Sequence, residues 1–315
     1  MGTVEALEIL SPGPLTTIQD LGRYGFGRYG VPPSGALDAF SLRAANLLVD
    51  NHENEAGLEI TLMGLKVRVL TDLVIAVTGA DLSTLLNGRA CAMWRAHAVH
   101  KEDVLHFKAL RSGCRAYLSI GGGISIDPMM GSKSTNIISR FGGHEGRALK
   151  SGDLLHSESP HLHSKAAGRT FLASRIPQYS NEWVLRILWG PRDDEFPENS
   201  KRFFVESLFS VTPKSDRTGI RLSGPAIQRK ERFSESIISE GVVPGSIQVP
   251  GDAQPIIILV ETVTGGYRKI ATVISADLPL LGQCKPGDRV LFRPVPMEEA
   301  LLALREMEKA ISSQR

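Results

Sequence analysis

The chain has 315 residues, which at roughly 150 residues per domain predicts two compact domains. Its 36 lysines and arginines nearly balance 34 aspartates and glutamates, and a formal net charge of +2 gives no field strong enough to imply a nucleic-acid or anionic-membrane partner. A hydrophobic content of 42% with 22% charged residues excludes a disordered chain, and apolar runs such as Pro255 to Val260 fall far short of the roughly 20 residues a bilayer needs.

In chain order, Met1 to Leu10 carries acids and lacks a basic stretch followed by an apolar one, so a cytoplasmic location is expected. Thr17-Ile18-Gln19-Asp20-Leu21-Gly22-Arg23-Tyr24-Gly25 then sets an amide, an acid and a guanidinium among glycines. Arg23 offers a planar fork for a carboxylate or phosphate, with Asp20 placed to hold that fork; a buried pair that only fixes a loop competes with this reading. Val31 to Asp38 is a rigid turn feeding a helix over Asp38 to Val49, with Leu42, Ala45, Leu48 and Val49 on one face and Asp38 as its cap.

Short segments rich in Val, Ile, Leu and Thr, bounded by Gly, Asp or Pro, read as strands at Leu65 to Leu70, Leu73 to Val77, Ala116 to Ile120, Val184 to Leu188, Ile256 to Val260 and Arg289 to Phe292. Pro296 to Ser312, with Ala300, Leu301, Ala303, Leu304 and Met307 in a stripe, reads as the main helix of the second half. The fold class is therefore mainly β with peripheral helices. The polar run Ser159 to Ser164, within Ser157 to Gln178, places a linker at 161–180 between an N-terminal unit over 1–160 and a C-terminal unit over 181–315. Gly152-Asp153 and Gly287-Asp288, each running into a strand, hint that the two units are alike.

Several motifs fail. Gly121-Gly122-Gly123 lacks the third glycine of a dinucleotide fingerprint and is followed by Asp127-Pro128; in Gly131-Ser132-Lys133-Ser134 a serine separates glycine from lysine, so neither is a phosphate loop. No Gly-x-Ser-x-Gly elbow occurs. Cys91, Cys114 and Cys284 are far apart and read as reduced core thiols, and the eight histidines, His161 and His163 of the linker included, show no metal-ligand spacing, so no metal site is expected.

Other clusters hold. Phe141-Gly142-Gly143-His144-Glu145-Gly146-Arg147 concentrates glycines and polar groups in one loop. Ser215-Asp216-Arg217-Thr218-Gly219-Ile220-Arg221 again sets an acid beside arginines, where anion recognition competes with a structural ion pair. The densest stretch runs from Ser239 to Asp288. There Glu240, Gln248, Thr264 and Tyr267 supply a carboxyl, an amide and hydroxyls around Gly265 and Gly266, a set suited to a small polar ligand held partly by backbone amides. Asp277 and Gln283 are expected on the same rim if Ala271 to Ile274 is a strand.

Taken together, Thr17 to Arg23, Ser34-Gly35-Ala36-Leu37-Asp38, Arg43-Ala44-Ala45-Asn46-Leu47-Leu48, Ser215-Asp216-Arg217, Gly245 to Pro250 and Thr264-Gly265-Gly266-Tyr267 resemble the biotin-dependent carboxyltransferase family. Leu58 to Leu62, Met130-Gly131-Ser132, Glu145-Gly146-Arg147 and Trp189-Gly190-Pro191 extend the resemblance over nearly the whole chain. Members of that family include the C subunit of 5-oxoprolinase, also called allophanate hydrolase subunit 2 or antagonist of a kinase-inhibitor protein, and part of the carboxyltransferase domain of urea carboxylase.

The resemblance implies two cyclophilin-like β-barrel units and partner subunits A and B, which together open the lactam of 5-oxoproline to glutamate with ATP. On that basis Arg23, Asp20, Arg217, Asp216 and Glu240 are the expected catalytic groups, and Gln19, Arg221, Gln248, Thr264, Gly265, Gly266, Tyr267, Asp277 and Gln283 the expected substrate-binding ones. One departure is Glu261-Thr262-Val263, where the family has an Asp and a Gln-Thr pair; Glu261 stands in for the acid and the amide is gone. The competing expectations are a carboxyltransferase acting on urea or a related amide with a separate biotinylated carrier, and a non-enzymatic antagonist that binds a kinase inhibitor.

Overall fold

The computed structural model describes residues 3–158 and 165–313; the linker histidines His161 and His163, and the polar run around them, lie outside the described residues. The chain forms two compact units, one built from Met1–Arg23, Ser34–Tyr179 and Ala310–Arg315, the other from Tyr24–Pro33 and Ser180–Lys309. Both are mostly β, as the strand spacing predicts.

The first unit contains β1 (Val4–Pro12), β2 (Leu15–Gln19), α1 (Ala39–Leu48), β3 (Gly57–Thr61), β4 (Leu65–Val69), β5 (Leu73–Asp81), β6 (Thr84–Leu86), β7 (Arg89–Ala90), β8 (Ala96–Val99), β9 (Val104–Phe107), β10 (Ser112–Ile120) and β11 (Leu154–Ser157). These make two sheets, ordered β11-β1-β4-β9-β6-β7 and β2-β3-β10-β5-β8. Leu7 and Ile9 of β1, Val67 of β4 and Phe107 of β9 share one core cluster with Ile18 of β2, Leu58 of β3, Ile75 of β5 and Leu118 of β10, so the two sheets bury a common apolar interior. At the head of α1, Asp38 accepts a hydrogen bond from the Ser41 amide at 2.9 Å, the predicted cap.

The second unit contains β12 (Glu182–Trp189), α2 (Glu198–Glu206), β13 (Phe209–Val211), β14 (Gly219–Ser223), β15 (Glu240–Gly241), β16 (Ser246–Val249), β17 (Ile256–Ile258), β18 (Thr264–Gly265), β19 (Arg268–Val273), α3 (Leu278–Leu281), β20 (Arg289–Pro294) and α4 (Met297–Ser312). A closed barrel runs β12-β19-β16-β17-β14-β13-β20 and returns to β12 through a parallel pairing of β12 with β20. Trp183, Leu185 and Ile187 alternate inward along β12, with the period of two that a strand imposes on its side chains. Phe204 of α2 stacks on Phe292 of β20 at 4.4 Å between ring centres. Outside the barrel, β15 and β18 form a two-stranded ribbon. No helix among the described residues is long and apolar enough to cross a membrane.

Candidate functional site

In the first unit, β2 ends at Gln19 and delivers Asp20 and Arg23 against the loop 129–146. Asp20 Oδ1 accepts from Ser132 Oγ at 2.7 Å, Ser134 Oγ at 2.5 Å and the Gly22 amide at 2.8 Å, while Oδ2 accepts from the Lys133 amide at 2.6 Å. The carboxylate is thus a four-donor hub between two loops, and it does not hold the Arg23 fork as the sequence suggests. Arg23 is oriented by other groups. Its Nη2 donates to the Ser134 carbonyl, its Nε faces the Met129 carbonyl at 3.5 Å, and its guanidinium carbon lies 4.6 Å from the centre of the Phe141 ring.

Gly142 is required at this point. Its φ is +66°, and a Cβ would sit 2.3 Å from the Ser134 carbonyl oxygen and 2.7 Å from Arg23 Nη2. Gln19 donates to Thr17 Oγ1 at 3.0 Å and to the Thr135 carbonyl at 3.2 Å, and accepts from the Gly35 amide at 3.1 Å. Gln19, Asp20 and Arg23 are buried, and the groups just named around them all belong to the protein's own strands and loops. Lys133, in the stretch that superficially resembles a phosphate loop, donates to Glu55 at 2.5 Å and to the Ile124 carbonyl at 3.1 Å.

In the second unit, Glu240, Gln248, Thr264, Gly265 and Tyr267 are brought together at the ribbon. Glu240 pairs across it with Gly265, and Gly241 with Thr264. Beneath, the Gln248 amide reaches the Tyr267 carbonyl at 3.4 Å and lies so close to Gly265 that a Cβ there would fall 2.2 Å from its Nε2. Thr264 is exposed, and Tyr267 is 40% exposed.

Glu240 receives Lys269 Nζ at 2.8 Å and Arg192 Nη2 at 3.2 Å. The hydrogen bonds from Arg192 and then Lys269 hold its carboxyl at about 2, below the ordinary 4.5. A carboxylate held that low is a weak proton acceptor near neutral pH, so the geometry suits Glu240 to positioning the two cations rather than to moving protons. Arg192 also donates to Glu195 at 2.9 Å, and Glu195 pairs with Arg268, so the ionic cluster extends along the start of β19.

Arg217 meets Glu261, Nε to Oε1, at 3.1 Å, with both side chains nearly fully buried. The residue that departs from the family pattern is therefore the ion-pair partner of the expected catalytic arginine. Asp216 Oδ1 accepts from the Thr218 amide at 2.7 Å and the Gly219 amide at 3.2 Å, closing a turn, while Arg221 is exposed on β14.

Asp277 does not join the Tyr267 rim. β19 does cover Ala271 to Val273 of the predicted segment, but it carries the chain away: Asp277 follows its far end, and the five steps from Lys269 to Ile274 span roughly 17 Å at strand rise. Asp277 there accepts from the Arg186 amide at 2.8 Å and from Arg186 Nη2 at 2.5 Å, and Gln283 is buried in the turn after α3.

Sequence reasoning passes over Arg192, Glu195 and Lys269 and gives Arg268, which stands where the family has a proline, no role in the site. The usable signal is Trp189-Gly190-Pro191: a Cβ at Gly190 would lie 2.5 Å from the Lys269 carbonyl oxygen, so only glycine lets this turn approach β19 and present Arg192. Ser132 and Ser134 escape notice as donors because no local pattern links them to Asp20.

A closed barrel with a glycine-bent ribbon and an ionised cluster, and a two-sheet unit in the same chain, make this a two-unit, mainly β protein. The chain belongs to the family described as carboxyltransferase domain, subdomain A and B, which matches residues 29–294. It is 37% identical to the 5-oxoprolinase C subunit of Escherichia coli K12, over 96% of this chain and 96% of that one. It is also 36% identical to urea amidolyase of Lachancea kluyveri, over 98% of this chain but only 18% of the larger protein. The solved structure of Kluyveromyces lactis urea carboxylase superposes with a TM-score of 0.94 at 34% identity, covering all of this chain and 30% of that one.

Proposed function

We propose that the chain is the C subunit of an ATP-dependent 5-oxoprolinase, helping to hydrolyse 5-oxo-L-proline to L-glutamate with subunits A and B, and inactive without them. The observation that carries this reading is the match to the Escherichia coli 5-oxoprolinase C subunit along 96% of both chains. Ring opening adds one water across the amide C–N bond, yielding a carboxylate and an amine. Negative charge grows on the carbonyl oxygen as water adds.

In this reading the ribbon receives the lactam. Tyr267 and Thr264 offer hydroxyls at its exposed edge, and Arg192, anchored by Glu240 and Glu195, supplies the positive field that favours the developing charge. Arg217, buried against Glu261, positions the segment that leads into Thr264. The stretch Gly131 to Ser134 does not fit ATP, because Lys133, Ser132 and Ser134 are already engaged by Glu55 and Asp20. ATP is therefore assigned to the assembly, and no step on this chain is routed through it.

The test is co-purification with subunits A and B, followed by an assay of glutamate release from 5-oxoproline with and without ATP. ATP-dependent release by the complete assembly, and none by this chain alone, is the expected result. Release by the chain alone, or none by the complete assembly, overturns the reading. A second reading is a carboxyltransferase acting on urea with a biotinylated carrier, favoured by the superposition on urea carboxylase; carboxylation of urea in the presence of such a carrier, without glutamate release, would put it in first place.

A further inference from the structure

A cavity of about 770 Å³ opens in the first unit past the last turn of α1, lined by none of the predicted site residues. That volume lies within the range of small-molecule sites. Leu47 and Leu48 give it apolar wall, and Asp50, His52, Glu53 and Arg169 give it charge.

The acceptors are already engaged. Glu53 receives Arg43 Nε at 2.7 Å, and Asp50 receives Arg169 Nη1 at 2.7 Å. Asn51, also in the wall, uses its amide to donate to the Ile120 carbonyl at 2.8 Å and accept from the Gly122 amide at 3.0 Å. The donors are not so engaged. Asp50 is the only polar partner of the Arg169 guanidinium among the described residues, which leaves the rest of the fork open. His52 Nδ1 accepts from the Asn54 amide at 3.2 Å, so Nε2 is the nitrogen that carries a proton toward solvent or ligand. The negative end of α1 is muted there, because the Asn46 and Leu47 carbonyls take the Asn51 and Asp50 amides at 2.9 and 3.2 Å.

We infer that this cavity binds a small carboxylate, its apolar body against Leu47 and Leu48 and its carboxylate on His52 and the open edge of Arg169. An Arg fork matches a carboxylate in geometry as well as charge. The ligand's carboxylate shares the guanidinium with Asp50 and is repelled by that acid, so Arg169 and Asp50 have opposite effects on affinity.

The test titrates the full chain with glutarate while following the His52 ring resonances by NMR, assigned through a His52→Gln variant, with glutaramide as the uncharged control. Glutarate should give a saturable shift at millimolar concentration or below, and glutaramide none. Arg169→Gln should weaken binding roughly tenfold or more, and Asp50→Asn should tighten it roughly threefold or more. Both side chains are about half exposed, and asparagine tolerates the left-handed backbone of residue 50, so both variants should fold. Equal shifts by the two probes, no saturation by roughly 50 mM glutarate, or weaker binding by Asp50→Asn would each overturn the inference. None of these readouts involves turnover, so the result is independent of the 5-oxoprolinase reading.

Discussion

Around Asp20 the polar groups turn inward: two serine hydroxyls and two backbone amides converge on one carboxylate, and Arg23 lies against carbonyls and a ring. Along the β15–β18 ribbon the arrangement is reversed, with an ionised cluster beside hydroxyls that reach solvent. Both regions are built from arginine, acid and glycine. What separates them is whether the hydrogen-bonding capacity is consumed within the chain, because a buried hub stabilises a loop whereas the exposed edge of the ribbon, with Thr264 and Tyr267, retains groups for a ligand.

The largest expected effect tests the inward region. Asp20→Ala strands two hydroxyls and two amides in a buried pocket and should cost on the order of 4 kcal/mol in urea denaturation. A loss below about 1 kcal/mol would mean the hub does not hold the loops together, and the contrast with the ribbon would collapse.

Next is the buried pair of the other unit. Arg217→Ala should cost about 3 kcal/mol by removing the guanidinium paired with Glu261, whereas the double change Arg217→Met with Glu261→Leu should return stability to near that of the unmodified chain. If the stable double variant also supports full ATP-dependent glutamate release in the assembly, Arg217 only positions the ribbon; if release is lost, the guanidinium itself serves the reaction.

Tyr267→Phe should move stability by less than about 0.5 kcal/mol, since the ring is 40% exposed, yet lower turnover of the assembly roughly tenfold or more. Unchanged turnover would remove the hydroxyl from the site. The smallest effect concerns Glu240. Because its pKa falls from 4.5 to about 2 on folding, its ion pairs contribute fully above pH 4.5 and are lost as the pH drops from there through about 2. Glu240→Gln should cost a few tenths to about 1 kcal/mol at pH 7 and flatten the stability curve in that acid window, and added salt should narrow the difference.

How far the fold is legible depends on the element. The strands at Leu73 and Val184 can be read because short runs rich in Val, Ile and Leu with flanking turn residues are local signals, although β5 and β12 run further than their apolar cores suggest. The Asp38 cap is equally local, and so is most of the stripe of α4, where Ala300 and Ala303 are buried; Leu301, expected in that stripe, is exposed because it falls off the packed face of the helix. Helix α2 escapes such a reading because only Ser200 and Phe204 of its nine residues are buried, too few to make an apolar stripe. At the candidate site, the Glu240, Gln248 and Tyr267 grouping is legible from its density of polar groups around glycines. The separation of Asp277 is not, since it depends on which way β19 leads.

Residue order by itself determined the mainly β character, the caps, the turns and the ribbon's chemical inventory, because each depends on neighbours within a few positions. Only the tertiary structure decided that Arg217 faces Glu261 across 44 residues, that Arg23 meets Ser134 across 111 and that Asp277 serves Arg186 across 91. An ion pair or hydrogen bond depends on distance in space, and strand pairing sets that distance. Patterns of two, three or four residues contain no record of it.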